Sequence, residues 1–398
     1  MLSSMDFRIK WSGKSIAYTE EEIQAVVEVM RNADPQTQGP YQEKFERDFD
    51  RFIGLGGHCY AMTNCASALE VAADLARIGP GDEVIIPAHT YCASAIPFGR
   101  TGAALKWADI DPETFLMSID SMKELTTART KVIVVVHLYG MLLDMDAINA
   151  WAKPRGIFVI EDCAQSLGAK LNGRRAGTMS DVSAFSFHAQ KNLTTLGEGG
   201  VLCTKDPAMA DQIYGLRHNG HHPFKNQKEY WIPAMSNVDV DIEGKWPHNF
   251  SMTEAQAALA SKLLGRIDQL NADRRKRAHE FKKHFSEFPE LVFQKERDDE
   301  SHVHHLLPAR YDGQKTGKVN HDLIRMLGND YQIKTIVQYY PLYRYDLFKK
   351  MGFGHANVPH TDKFFDNMIS FPLHHWMSNS DWSYLLESVK SALLKLRG

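Results

Sequence analysis

The chain has 398 residues, 43% of them hydrophobic and 24% charged, with a formal net charge of -3. That balance suits a globular protein with a large core and roughly two to three domains, and it offers no overall basic field for nucleic acid, leaving a small molecule as the expected partner. Cys59, Cys65, Cys92, Cys163 and Cys203 form no CxxC pair, which argues against a disulfide framework or a structural zinc site, and neither the opening MLSSMDFRIKWSGKS nor any other stretch has the apolar run of a signal peptide or the ~18 residues of a membrane helix; the reading is a cytoplasmic protein.

Short apolar strands alternate with amphipathic helices through the first two-thirds of the chain, the pattern of an α/β fold. ASALEVAADLARI repeats apolar residues at three and four positions and predicts a helix, which GPGD stops before the buried strand EVIIPA. KVIVVVHLYG, IFVIEDCAQ and VSAFSFH predict further strands, the last two leaving polar residues at their carboxyl ends. In open α/β sheets that edge binds ligands, which singles out Asp162, Gln165 and Ser186. From about Arg217 to Asn249 the pattern breaks into a long irregular segment rich in histidine and aromatics, a candidate functional loop. TEAQAALASKLLGRIDQLNADRRKRAHEFKKHF then predicts one long helix, capped by Ser251 or Thr253. Its charged run reads as a solvated helix face, not a nucleic-acid site. SHVHHLLPARY and IKTIVQYYPLY predict strands and WSYLLESVKSALLKL a closing helix. A large domain over 1–255 and a smaller C-terminal α/β domain over 256–398 are expected.

Five features in order carry the chemistry. TNCASALE opens a helix, whose free amides and dipole suit a phosphate at Asn64, Cys65, Ala66 and Ser67, although Asn and Ser are also ordinary caps. Tyr91 in PAHTYCA can stack on a flat heteroaromatic ring, or be a rim tyrosine. Asp162 in EDCAQ ends an apolar strand, so its carboxylate must be paired or face a cleft; a pyridinium nitrogen is a fitting partner, and Gln165 lies one turn on. Glu161 alternates to the other face and reads as structural. Lys191 in SFHAQKN follows Ser186 and His188 and precedes Gly197, Gly199 and Gly200. An amine in such a partly desolvated pocket is a nucleophile toward an aldehyde. The clusters His302, His304 and His305, and His218, His221 and His222, lack a suitably spaced Cys or carboxylate, so no metal is expected.

TNCASALE, PAHTY, EDCAQSLGA, SFHAQKNLTTLGEGG, WPHNFSMTEAQAA and VQYYPLY occur in the order found in the DegT/DnrJ/EryC1/StrS group of sugar aminotransferases, which this chain resembles from about QGPYQEKFERDF to ISFPLHH. The resemblance implies the aspartate-aminotransferase type of fold, with a mixed, mainly parallel sheet, and pyridoxal 5′-phosphate (PLP) held by Lys191 as a Schiff base. It further implies Asp162 on the pyridine nitrogen, Gln165 near the phenolic oxygen, Tyr91 stacked on the ring, and Cys65, Ala66 and Ser186 on the phosphate. Asn249 would reach the phosphate in a neighbouring subunit, hence a homodimer with shared active sites, and His188 and Tyr339 would face substrate. Related dehydratases carry histidine in place of the lysine, so Lys191 favours transamination. The expected reaction moves an amino group from glutamate or glutamine to a keto-sugar, first a nucleotide-linked 3- or 4-keto-6-deoxyhexose, on the way to an amino sugar. Alternatives are a keto-cyclitol acceptor and a PLP-binding regulatory protein without turnover. Three positions depart from the family pattern: Ala66 for threonine, Ser251 for arginine and Gln338 for histidine.

Overall fold

The computed structural model describes residues 6–222, 237–297 and 300–398. The opening MLSSM, residues 223–236 of the irregular segment and the side chain of His222 lie outside the described residues. Among those described, the main sheet has seven strands: β1 (His58–Met62), β2 (Glu83–Pro87), β3 (Ala104–Ala108), β4 (Thr130–Val136), β5 (Phe158–Asp162), β6 (Val182–Ser186) and β7 (Gly200–Thr204), in the order β1-β7-β6-β5-β4-β2-β3. Only β7 runs antiparallel to its neighbours, so the sheet is mixed and mainly parallel, as expected. In β4, TKVIVVV, every residue but Lys131 is buried. A parallel strand covered on both faces reads as such a continuous β-branched run because neither side meets water.

Helices cover both faces. α1 (Glu20–Asn32) starts with a reciprocal cap between Thr19 and Glu22. α2 (Pro40–Ile53) sends Phe45 and Phe49 edge-on into Phe187 and Phe185, with centroids 5.8 and 4.9 Å apart. α3 (Cys65–Leu75) is rich in alanine, which lets it lie close on the sheet. α4 (Pro207–Arg217) follows β7. The long helix expected after it is two helices, α5 (Glu254–Leu264) and α6 (Ile267–His284). Gly265 has poor helix propensity, and Arg266 leaves the helical conformation to place its guanidinium on Glu22 and on the carbonyl of Ala17. Thr253, not Ser251, caps α5, in a box with Gln256. Ser251 instead bridges the backbone of Met62. Fully buried Glu254 accepts from the amides of Gly39, Tyr41 and Gln42, satisfying the first turn of α2 with a charge of the favourable sign.

A second sheet, antiparallel, joins β8 (Leu291–Phe293), β9 (Leu307–Tyr311) and β10 (Met368–Phe371). With α7 (Asn320–Tyr331) and α8 (Asn379–Arg397) it surrounds a separate core that includes Phe281, Phe371, Trp382 and Leu385. IKTIVQYYPLY, expected as a strand, is not one. Ile333 and Ile336 make single bridges to Ile9 and Ser370, and beyond them lies Pro341, which has no amide to donate to a ladder. Residues 9–16 run between the two cores: Ile9 belongs to the smaller and Ile16 to the larger. Among the described residues no helix is long and apolar enough to cross a membrane.

Candidate active site

The carboxyl ends of β1, β5 and β6 converge. β1 leads through Thr63 into α3, where Asn64 Oδ1 accepts from the Ser67 amide at 2.8 Å and Ser67 Oγ accepts from the Asn64 amide at 3.2 Å. The capping role of these two side chains is therefore real. It also closes the helix start in a useful way: with the Ser67 and Ala68 amides satisfied by Asn64, the first-turn amides of Cys65 and Ala66 have no partner within the helix. Ala66 adds no side-chain donor, so an anion here would rest on backbone. Gly200 makes room for this arrangement, because a Cβ on it would stand 2.6 Å from the Asn64 carbonyl carbon and 2.7 Å from the Cys65 nitrogen.

At the end of β5 the neighbouring carboxylates separate. Glu161 is fully buried and accepts from the Gly177 and Met179 amides and from Ser180, facing His137 at 3.0 Å, so it is structural, as its alternation suggested. Asp162 takes the Ala164 amide at 3.1 Å on one oxygen and the Ser94 hydroxyl at 2.7 Å on the other. A carboxylate accepts about four hydrogen bonds, leaving capacity for a further donor from the cleft. Gln165 has both ends engaged: its Oε1 accepts from the Tyr139 amide at 2.6 Å and its Nε2 donates to the Tyr339 hydroxyl at 3.0 Å. It thus presents Tyr339, whose ring meets that of Tyr91 edge-on at 5.8 Å. Tyr91 itself is 56% exposed, an open aromatic face where a flat ring can lie.

Lys191 follows β6 on a turn closed by its own backbone. Phe187 and Ala189 donate to the carbonyls of Gly199 and Gly197, and the Lys191 amide donates to His188. Gly197 and Gly199 have φ of +112° and +158°, so the glycines serve the left-handed turn that the sequence suggested. Ser186 stands opposite Gly200 in the sheet, and its hydroxyl accepts from the His188 amide at 3.4 Å. The Lys191 carbonyl accepts from Ser15 Oγ, Gln190 donates to Ser12, and Trp376 donates to Lys14. Lys191 opens on a cleft lined also by His188, Gln190, Arg274, Tyr339 and His374. Burial pushes its ammonium below the ordinary lysine range, against the opposing pull of Asp162 and Cys65. The Cys65 thiol is held well above its usual range by burial and then by Asp162, with Lys191 opposing. Those mutual influences bring the α3 start, the β5 carboxylate and the lysine into one electrostatic neighbourhood.

Asn249 is exposed, paired through its backbone with His218; the next residue, Phe250, accepts from the Thr63 amide at the head of α3. His302 and His304 are buried and stacked 3.8 Å apart, with His302 Nε2 on Gln294, while His305 Nδ1 sits on Asn192. His218 Nδ1 sits on Gln38 at 2.9 Å, its ring 5.0 Å from that of His221. The fold does supply a carboxylate that spacing did not reveal: Glu296 lies 3.5 Å from His304 and 3.2 Å from His279, and the Lys282 ammonium already pairs with it. Ser94, Ser15 and Arg274 are the site residues that sequence reasoning missed. Only Ser94, inside the PAHTYCAS run, had a local signal.

Four capacities therefore meet here: backbone donors for an anion, an open aromatic face, a carboxylate with a free lone pair and an amine of lowered basicity. The profile of the DegT/DnrJ/EryC1/StrS aminotransferase family matches residues 17–390. The chain is 34% identical over 373 residues to the spore coat polysaccharide biosynthesis protein SpsC of Bacillus subtilis, covering 93% of this chain and 94% of that one. It is 31% identical over 373 residues to a GDP-perosamine synthase of Escherichia coli O157:H7, with 93% and 95% covered. A Streptococcus pneumoniae protein assigned as a sugar aminotransferase and solved in its PLP form shares the fold at a TM-score of 0.85 and 26% identity, over 97% of this chain and 99% of that one. The fold is that of the PLP-dependent aminotransferases, and the chain belongs to the DegT/DnrJ/EryC1/StrS aminotransferase family.

Proposed function

We propose that the chain binds PLP at Lys191 and moves an amino group from glutamate or glutamine to a keto-sugar, first a nucleotide-linked 3- or 4-keto-6-deoxyhexose. The observation that carries this reading is that Lys191, which opens on a cleft, lies near enough to Asp162 at the end of β5 and to Cys65 at the start of α3 for their charges to act on one another. The named relatives support a sugar acceptor, one by its GDP-perosamine product and one by its place in polysaccharide biosynthesis. PLP, when bound, supplies an electron sink for the carbon that loses a proton.

The chain's own residues do the rest. The Cys65 and Ala66 amides and Ser186 would hold the PLP phosphate, and Tyr91 would offer its open face to the PLP ring. Asp162, oriented by Ser94 and the Ala164 amide, keeps a proton on the pyridine nitrogen. Gln165 and Tyr339 act together at the phenolic edge, Gln165 holding the hydroxyl in place. Lys191 would hold the cofactor through Nζ, and the same amine is placed to take a proton from the substrate carbon and return it, as general base and acid. Burial disfavours the charged form of this amine, which suits it to act as nucleophile and as proton acceptor. His188 lines the same cleft and is proposed to face substrate. We further assign a homodimer in which Asn249 serves the partner's phosphate; exposed Leu196 and Trp246 are surfaces that a second copy would cover.

The test is the absorbance of the protein with PLP, before and after glutamate or glutamine. The expected result is a lysine-bound band that gives way to the pyridoxamine form in the wild type, with neither band nor turnover in Lys191→Ala. Retained turnover in that variant would sink the assignment.

A further inference from the structure

Two groups of three metal-ligating side chains lie within reach of one another among the described residues. In the first, His137, Glu161 and Cys163, all three are buried and the carboxylate is spent on the Gly177 and Met179 amides and on Ser180. The second, His279, Glu296 and His304, is carried by α6 and by the segment that crosses from β8 to β9. His304 is 1% exposed, yet its Nε2 makes no hydrogen bond. That nitrogen faces Glu296 Oε1 at 3.5 Å, and His279 Nε2 faces the other oxygen at 3.2 Å. His302 does not belong to the set: its Nδ1 accepts from the His304 amide at 3.0 Å, its Nε2 meets Gln294 at 3.2 Å, and its ring backs that of His304. Burial, then His302, holds His304 well below the ordinary histidine range, in the neutral form that ligates.

A buried nitrogen with no partner calls for a reason, and the geometry supplies one. Ligand atoms held ~2.0–2.1 Å from a tetrahedral ion stand about 3.3–3.4 Å from one another. The two nitrogen–oxygen separations, 3.2 and 3.5 Å, already have that length. All three ligand atoms lie within 4.8 Å of one another, so small ring movements close the remaining edge. His279 is only half-buried, which leaves a way in for an ion and for a water in the fourth position. The cation now facing Glu296 is the Lys282 ammonium, carried by the same helix as His279. Burial disfavours the charged form of that amine, and its flexible stem lets it move out to solvent. Arg274, which donates to the His304 carbonyl, opposes any added cation, so nitrogen ligation and not charge alone must supply the affinity. Two imidazoles and one carboxylate suit zinc and its neighbours, and not magnesium or calcium.

We propose that His279, Glu296 and His304 form a site for a divalent transition ion of the zinc class, which displaces the Lys282 ammonium and braces α6 against the segment between β8 and β9. That segment is fastened to the larger core, since the Val303 and His305 amides donate to the carbonyls of Gly140 and Tyr139. Phe281, on the same helix as His279, belongs to the smaller core. The ion thus ties one core to the other.

The test uses the full-length protein loaded with PLP, with cobalt(II) as a visible probe of tetrahedral ligation and zinc as its competitor. The wild type should bind one cobalt ion, release it to zinc, and melt at a higher temperature with zinc than without. Lys282→Met removes the competing cation and should bind zinc about tenfold more tightly. His279→Ala, at a half-exposed position, should bind at least about 100-fold more weakly, because even the outer partners of a metal ligand are worth roughly 10–100-fold. Unchanged binding in His279→Ala overturns the proposal, and its loss in His218→Ala would then put the ion on the pair of His218 and His221. Binding that appears only in Lys282→Met also overturns it, because the lysine would then be the permanent counter-ion. So does the lack of a cobalt band in both proteins.

Discussion

Glu161 and Asp162 are adjacent, yet one is sealed among backbone amides and the other keeps a lone pair for the cleft. The same difference of environment acts on Lys191, where burial lowers the basicity of the amine and Asp162 partly restores it. Removing the carboxylate should therefore lower it further. In Asp162→Asn, the pH midpoint for reaction of the free protein with PLP should move to more acid pH than in the wild type, and the holoenzyme should turn over roughly 100-fold more slowly. A midpoint that stays in place would show that the two groups do not interact. Asp162 and Lys191 stood out in the sequence through their combination, a carboxylate ending one apolar strand and an amine just past another before a glycine-rich turn, and the fold does bring the two into electrostatic contact. Ser94 and Ser15 were not, since their partners lie 68 and 176 residues away and only the fold brings them together.

At the scale of elements, strands such as β4 and helices such as α3 were visible because burial on both faces, or on one, writes a period into the chain. The break between α5 and α6 was not, because it depends on Arg266 finding Glu22 across the fold. The loss of the expected strand around Ile333 likewise depends on where partners lie, and no period records that. The contact of α3 with β7 gives a direct test. In Gly200→Ala the new methyl would stand 2.6 Å from one backbone atom of the α3 start and 2.7 Å from another, and neither can rotate away. The helix start must shift, with a stability loss of about 1–3 kcal/mol and PLP affinity weakened by roughly tenfold or more. Gly79→Ala, where the nearest atom is 4.0 Å away, is the control for calorimetry and PLP titration. Equal behaviour of the two variants would mean that the amide cradle does not depend on this packing.

The molecule as a whole carries an unusual load of buried histidines. Burial pushes His302, His304 and His305 well below their ordinary value, His374 to about 4 and His89 to about 3. Each is neutral when folded and free to protonate when unfolded, so below about pH 6.5 the unfolded chain binds more protons and stability falls. The loss begins at the unfolded value and continues until the folded groups titrate, with a slope on the order of 1.4 kcal/mol per pH unit for each histidine. Urea midpoints should drop steeply between about pH 6.5 and 5, a window above the carboxylate range; a flat profile there would contradict the folded-state burial of these rings. The run from Ile9 to Ile16 has a different consequence at this scale. Its ends are rooted in different cores, and between them the Ser15 hydroxyl donates to the Lys191 carbonyl while the Ser12 carbonyl accepts from the Gln190 side chain. The turn that carries Lys191 is thus fastened to a segment that spans the two cores. A substitution that loosens either root of this segment, at Ile9 or at Ile16, therefore reaches the backbone of Lys191 without touching its side chain.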